Sequence, residues 1–228
     1  MIEQQLLLDL PQEKGMSRAD FLPAPSNAAA LASVDGWRDW PSGKMMLVGP
    51  RGSGRTHLTH LWAKDAGAVI FSGRALDTNW HDTVEHAGAI AIDDADVVAG
   101  NKLLEEQLFH LFNHAQFEEK PLLLTAKDVA GTWGARLPDL ESRMQTLPIT
   151  RIEQPDDGLL NMVLVKLCDD RQLAIGPETI SYLVNRMERS LAVARELVAE
   201  LDHTALIRQR RITRPLAAEI LANFHPHR

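Results

Sequence analysis

The sequence predicts an α/β chain: a parallel sheet covered by helices, followed by a small all-helical domain. Three observations lead there. Met45-Met46-Leu47-Val48 is a short apolar run, followed by the glycine-rich Gly49-Pro50-Arg51-Gly52-Ser53-Gly54 and by a helical pattern opening at Arg55-Thr56-His57-Leu58. Strand, glycine loop and helix, in that order, form the setting in which such a loop binds phosphate. Gly88 to Ile92 is a second unbroken apolar run, and it ends in Asp93-Asp94-Ala95-Asp96; that is the form of a central parallel strand whose carboxyl end meets a ligand. Beyond residue 158 the pattern is wholly helical.

Composition narrows the function classes. The chain has 228 residues, 45% of them hydrophobic, enough for one domain and a smaller appendage with a full core. A net charge of −7 argues against broad binding to nucleic acid and favours a protein partner. The single Cys168 excludes an internal disulfide and a cysteine-based zinc site, and fits a reducing compartment. No basic-then-apolar leader opens the sequence and no apolar run approaches 18 residues, so no membrane association is expected and the expected location is the cytoplasm.

In chain order, residues 1–15 read as a tail set apart by Pro11 and a polar stretch. Leu6, Leu8 and Leu10 alternate, as suits an extended segment with one apolar face and Gln5 beside it. The spacing alone leaves open whether that face enters a partner's groove or forms an edge strand or loose end. Asp20-Phe21-Leu22-Pro23 is extended because Pro23 disfavours helix before it. Ser26 or Asn27 can cap a helix from Ala28 to about Val34, closed by Asp35-Gly36. Phe21 and Leu22 suit either a core or the cover of a flat base.

In the loop, glycines let backbone N–H groups turn inward toward phosphate oxygens, and the helix start adds a positive dipole end. Candidate nucleotide-binding residues are Gly49, Pro50, Arg51, Gly52, Ser53, Gly54, Arg55, Thr56 and His57, with Phe21 and Leu22. Thr56 supplies a hydroxyl for Mg²⁺. Arg55 stands where such loops carry lysine; it keeps the charge but presents a planar fork. That change points to a site better at holding a nucleotide than at turning it over. His57 and His60, three apart on the helix from Thr56 to Ala66, lack a third ligand and read as helix-surface residues.

A strand at Ala68–Phe71 and a short helix near Trp80–His86 precede the acidic strand end. There Asp93 is placed to hold Mg²⁺ and Asp94 to activate water, though aspartate reaches one methylene less than glutamate. A helix from Leu103 to about Phe117 carries the stripe Leu104, Leu108, Leu111 and Phe112. His110 and His114 on it lack the intervening Glu of a zinc motif. Thr125, at the tip of the strand from Pro121, can bond a terminal phosphate or attacking water, or cap the next turn. Leu137 to Met144 is a short helix with Pro138 in its first turn, and Arg143 falls near its exposed end before a strand at Leu147–Ile152. A linker, Gln154 to Gly158, leads to four helices near 158–170, 177–187, 190–208 and 214–224. The cations Arg208, Arg210, Arg211 and Arg214 suit phosphate contact but read first as a charged helix end.

These pieces, in this order, resemble an AAA+ ATPase: phosphate loop, acidic strand end, polar strand tip, projecting arginine, helical lid. Gly52-Ser53-Gly54-Arg55-Thr56-His57-Leu58, Asp20-Phe21 with Ser26-Asn27, and Leu137-Pro138-Asp139-Leu140-Glu141-Ser142-Arg143 resemble the DnaA-related branch. Gln5-Leu6-Leu7-Leu8-Asp9-Leu10 is similar to the peptide by which proteins dock on the polymerase sliding clamp. Together they resemble the Hda-like regulators of that family.

The resemblance implies an AAA+ core over 16–153 and a lid over 154–228, with 1–15 as a clamp-binding tail. It implies ADP or ATP with Mg²⁺, and two partners: DnaA and the DNA polymerase III sliding clamp (beta subunit). No direct sequence-specific DNA binding is implied, and a homo-oligomer is allowed. The implied activity is stimulated hydrolysis of DnaA-bound ATP, which prevents re-initiation of replication. Catalytic roles would fall to Arg143, an arginine finger acting in trans, with Asp93, Asp94 and Thr125. Thr56 and Asp93 would hold Mg²⁺, and Gln5, Leu6, Leu8 and Leu10 would bind the clamp. Arg195, in Arg195-Glu196-Leu197, resembles the lid's nucleotide sensor, although an ungapped count from Ile212-Thr213-Arg214-Pro215 gives Ala192. Competing readings are a degenerate phosphate-loop adaptor and a helicase or transposition helper ATPase.

Overall fold

The computed structural model of the chain describes residues 16–208 and 210–225. The expected clamp-binding residues Gln5, Leu6, Leu8 and Leu10 lie outside the described residues. Five parallel strands form one sheet in the order β2-β3-β4-β1-β5. They are β1 (Lys44–Val48), β2 (Ala68–Ser72), β3 (Ala89–Asp93), β4 (Leu122–Ala126) and β5 (Ile149–Arg151). Helices α1 (Ala28–Asp35), α2 (Arg55–Ala66), α3 (Trp80–Glu85), α4 (Lys102–Phe117) and α5 (Pro138–Gln145) cover it.

The strands read as unbroken apolar runs because both faces are covered. Met46, Val48, Ile90, Ile92, Leu122 and Leu124 point toward Leu108, Leu111, Phe112 and Met144 of α4 and α5. Met45, Leu47, Ala89, Ala91 and Leu123 point the other way, toward Leu31, Leu58 and Trp62 of α1 and α2. Fully burying one such leucine or isoleucine stabilises by about 1.5–3 kcal/mol. The chain steps from β1 out to β2 and returns to place β5 on the far side of β1, so the loop after β1 lies where strand connections diverge. In parallel α/β sheets that crevice, at the carboxyl ends, is where ligands bind.

Four helices follow: α6 (Asp157–Asp170), α7 (Pro177–Val184), α8 (Leu191–Arg208) and α9 (Arg214–Asn223). They enclose a core of their own, including Leu160, Leu164, Leu183, Leu197, Leu201 and Ala217. Asp156 caps α6, its side chain accepting from the Leu159 amide at 2.8 Å. Arg208 forms a two-pronged bond to Glu219 at 2.9 and 2.8 Å, and Arg214 lies over the Tyr182 ring. Those two of the four expected helix-end cations tie the helices together.

Some local expectations need correction. Asn27 occupies the N-cap position of α1 without capping it. Its side chain reaches back, accepting from the Ala24 amide and donating to the Leu22 carbonyl. Helix α7 ends at Val184, three residues before the expected 187. Among the described residues, no helix is long and apolar enough to cross a membrane.

Candidate functional site

The glycine loop after β1, the tips of β3 and β4 and the first turn of α8 converge at the carboxyl end of the sheet. In the loop, Gly52 has φ +73° and Gly54 φ +107°. The Gly52 carbonyl accepts from the Leu191 amide at 2.7 Å, and a Cβ at position 52 would collide with the Ser190 side chain. Glycine is therefore required by close approach as well as by backbone angle. In the loop and the helix turn that follows it, Ser53 Oγ and Arg55 Nη1 are buried with no partner among the described residues. Such orphans are uncommon in native interiors, and a phosphate oxygen is an acceptor that would suit both.

At the strand tips the acids are held firmly. Thr56 Oγ1 donates to Asp93 Oδ2 at 2.8 Å, and Thr125 Oγ1 donates to Asp93 Oδ1 at 2.6 Å. The Thr125 hydroxyl also accepts from the Asp94 amide at 2.9 Å. Thr125 is fully buried, and these bonds orient the acids rather than reach outward. Asp94 has φ +52°, and its carboxylate accepts from Arg55 Nη2 at 2.7 Å. Burial raises the Asp94 pKa, opposed by the charge of Arg55. The cation expected on phosphate and the acid expected on water are thus bonded to each other.

Among the described residues no group of three or more His, Cys, Asp or Glu could hold a metal ion. The hydroxyl of Thr56 beside the Asp93 carboxylate is nevertheless a hard oxygen pair. It suits Mg²⁺, which takes one or two protein oxygens and completes its shell with phosphate and water.

A cavity of about 510 Å³ opens between this loop and the helical domain. Phe21, Leu22, Gly54, His57, Leu191 and Arg195 are among its lining. The expected base-covering pair Phe21 and Leu22 and the candidate sensor Arg195 thus face one space. Phe21 is also part of the core. His57 is a correction: it is buried rather than on the helix surface. Its Nε2 lies 3.0 Å from the Ser17 carbonyl, and its ring meets the edge of Phe21. Burial lowers its pKa, with the Ser17 carbonyl opposing.

Several residues here escaped sequence reasoning. Lys166 of α6 bonds Asp20 at 2.8 Å across the cavity and holds that carboxyl at about 2. Ser190, read as helical, instead accepts from the Val193 amide at the start of α8. Glu105, buried in α4, accepts from the backbone amides of Gly100, Arg136 and Leu137. That bond set fixes the segment leading into α5. Ser190 carries the local signal of a helix N-cap; no local pattern announces Lys166 or Glu105, whose partners lie far away in sequence or are backbone atoms.

Arg143 lies in the last turn of α5, half-buried rather than projecting. Its guanidinium sits 5.2 Å from the Phe109 ring centre and 5.7 Å from that of Phe112, and donates to Gln116 at 3.3 Å.

Residues 157–221 match the family described as Hda, lid domain. Over 94% of its length the chain superposes on 98% of domain III of the Thermotoga maritima replication initiation protein DnaA, with TM-score 0.81 at 16% identity. The described chain therefore has the fold of DnaA domain III, and its C-terminal helices match an Hda lid. Its α/β core has the AAA+-type fold of those structures, and its four-helix unit is similar to the Hda lid. AMPPCP-bound DnaA from Aquifex aeolicus matches with TM-score 0.67 at 16% identity, covering 84% of this chain and 68% of that one. The Thermotoga maritima RuvB Holliday junction branch migration motor shares the fold more loosely, with TM-score 0.65 at 19% identity over 91% of this chain and 72% of that one.

Proposed function

We propose that this chain is a regulatory AAA+ protein that holds ADP or ATP with Mg²⁺ in the cleft between core and lid. Docked on the DNA polymerase III sliding clamp through Gln5, Leu6, Leu8 and Leu10, it promotes hydrolysis of ATP bound to DnaA. Re-initiation of chromosome replication is thereby prevented. It acts in the cytoplasm through protein partners and reads no DNA sequence of its own. The observation that carries this reading is an Hda-type lid on a DnaA-type fold.

The site's chemistry supports the division of labour. In the chain's own cleft, the amides of the phosphate loop, Ser53 Oγ and Arg55 bind phosphate, while Phe21, Leu22 and His57 cover the base. Arg195 senses occupancy from the lid. Thr56 and Asp93 hold Mg²⁺, which when bound neutralises phosphate charge. The aspartate Asp94, bonded to Arg55, is poorly placed to activate water, so the cleft retains more than it turns over. Arg143 instead serves a neighbour. Ring contacts of this kind are worth about 0.5–2 kcal/mol, less than the several kcal/mol an arginine finger contributes in a triphosphate pocket, so Arg143 can leave Phe109 and Phe112. In a partner's triphosphate pocket its charge stabilises the transition state, as arginine fingers do.

The bonding of Arg55 to Asp94 also favours a second reading, a degenerate adaptor that tethers partners without affecting their nucleotides; a helicase or transposition helper ATPase would instead hydrolyse ATP itself. One assay separates the three: conversion of DnaA-bound ATP to ADP on clamp-loaded DNA, with and without this protein. Acceleration supports the regulator. No acceleration supports the adaptor, and DNA-stimulated hydrolysis by this chain alone supports the helper.

A further inference from the structure

We propose that Asp94 is a positioning residue for phosphate binding, which sets the plane of the Arg55 guanidinium so that its unpaired edge is ready for an anion. The inference rests on the reading of the cleft as a nucleotide site and assigns Asp94 a task there other than water activation.

The guanidinium is planar and rigid, so anchoring one nitrogen fixes the orientation of the others. Arg55 Nη2 is anchored on Asp94 Oδ1 at 2.7 Å, while Nη1 is buried and has no partner among the described residues. A buried, charged, unpaired donor is costly unless a ligand completes it, and a phosphate oxygen is the acceptor that suits it. Ser53 Oγ, two residues earlier in the same loop, is a second buried polar atom with no partner.

Asp94 itself is held for this role. Its left-handed backbone is uncommon for a residue with a side chain. The turn is secured by the hydrogen bond that the Asp94 amide donates to the Thr125 hydroxyl, and Gly73 leaves room for the Asp94 carbonyl, where any Cβ would collide. Asp93, in regular strand geometry next door, keeps its carboxylate on the two threonine hydroxyls. The adjacent acids are therefore divided: Asp93 faces the hydroxyls and Asp94 faces the guanidinium.

The sign of one effect decides the matter. Were Asp94 a competitor that phosphate must displace from Arg55, its removal would tighten nucleotide binding; as a positioning residue, its removal weakens it. ADP affinity of the full chain is measured by titration calorimetry with Mg²⁺, for wild type, Asp94→Gly, Asp94→Asn, Arg55→Ala and the Arg55→Ala/Asp94→Gly double variant. Glycine and asparagine both tolerate the left-handed backbone, and thermal melting checks folding. Asp94→Gly is expected to bind ADP about tenfold more weakly, the scale of one charge-assisted bond. Asp94→Asn should recover part of that loss, because its amide oxygen still accepts from Nη2. In the Arg55→Ala background, Asp94→Gly should add nothing further. Tighter or unchanged binding by Asp94→Gly, or an equal loss without Arg55, overturns the proposal. A wild-type chain that binds no ADP overturns the nucleotide reading of the cleft itself, and this inference with it.

Discussion

The Leu191 amide donates to the Gly52 carbonyl at 2.7 Å, so the first turn of the lid's longest helix rests directly on the glycine loop after β1. Ser190, beside it, fills the space that a side chain at position 52 would need. Loop shape and lid position are therefore mechanically joined. Replacing Gly52 with alanine should strain a backbone at φ +73° and push Ser190 away. We expect a loss of about 1–3 kcal/mol in stability, read as a lower melting temperature, together with weakened ADP binding. The Gly52→Ala/Ser190→Gly double variant should recover the steric part and leave the backbone part.

Thr125 predicts a second, separable effect. Its hydroxyl serves Asp93 and the Asp94 amide at once. Thr125→Val keeps the shape but leaves a buried amide unpaired, costing about 1–3 kcal/mol by denaturant unfolding. ADP affinity should lose its dependence on Mg²⁺ more than its magnitude without the metal, since Asp93 loses one of the two hydroxyls that orient it.

Glu105 anchors the approach to α5. Burial alone would raise its pKa, but the amides of Arg136, Gly100 and Leu137 outweigh burial and lower it. Its stabilising contribution is therefore full above the ordinary carboxylate range and is lost as pH falls through its depressed value. Glu105→Ala should cost about 3 kcal/mol or more, because three amides lose their acceptor. The same variant should reduce stimulation of DnaA while leaving ADP binding by this chain near normal, as α5 carries Arg143 and lies apart from the cleft.

His57 sets the pH response of the cleft on the acid side. Its pKa lies below the ordinary 6.5 because burial disfavours the cation. Below 6.5 the unfolded chain takes up the proton first, so stability rises with pH through that window and is complete above it. Melting temperature measured across pH 5–7.5 should fall toward acid, and His57→Gln should flatten that part of the slope.

Much of this was legible in the sequence, for identifiable reasons. Strands buried on both faces leave unbroken apolar runs, so β1, β3 and β4 stood out. The glycine loop and the acids after Ile92 have fixed neighbours along the chain, and spacing alone located them. What escaped depends on residues that meet only after folding. His57 looked like a surface histidine because the segment from Ser17 to Phe21, which buries it, lies about forty residues upstream. Glu105 resembled any solvated helix glutamate, since the amides it accepts from at Arg136 and Leu137 lie 31 and 32 residues away. The pairing of Arg55 with Asp94, 39 residues apart, could not be inferred from either motif alone.

Arg143 tests the account most directly. DnaA loaded with radiolabelled ATP is mixed with clamp-loaded DNA and either wild type or Arg143→Ala, and the rate of ADP formation is followed. Removing an arginine finger costs about 10³-fold or more in rate, so the variant should fall to the level seen without this protein while still binding ADP and the clamp. Full stimulation by Arg143→Ala would contradict the claim that this residue completes DnaA's triphosphate pocket.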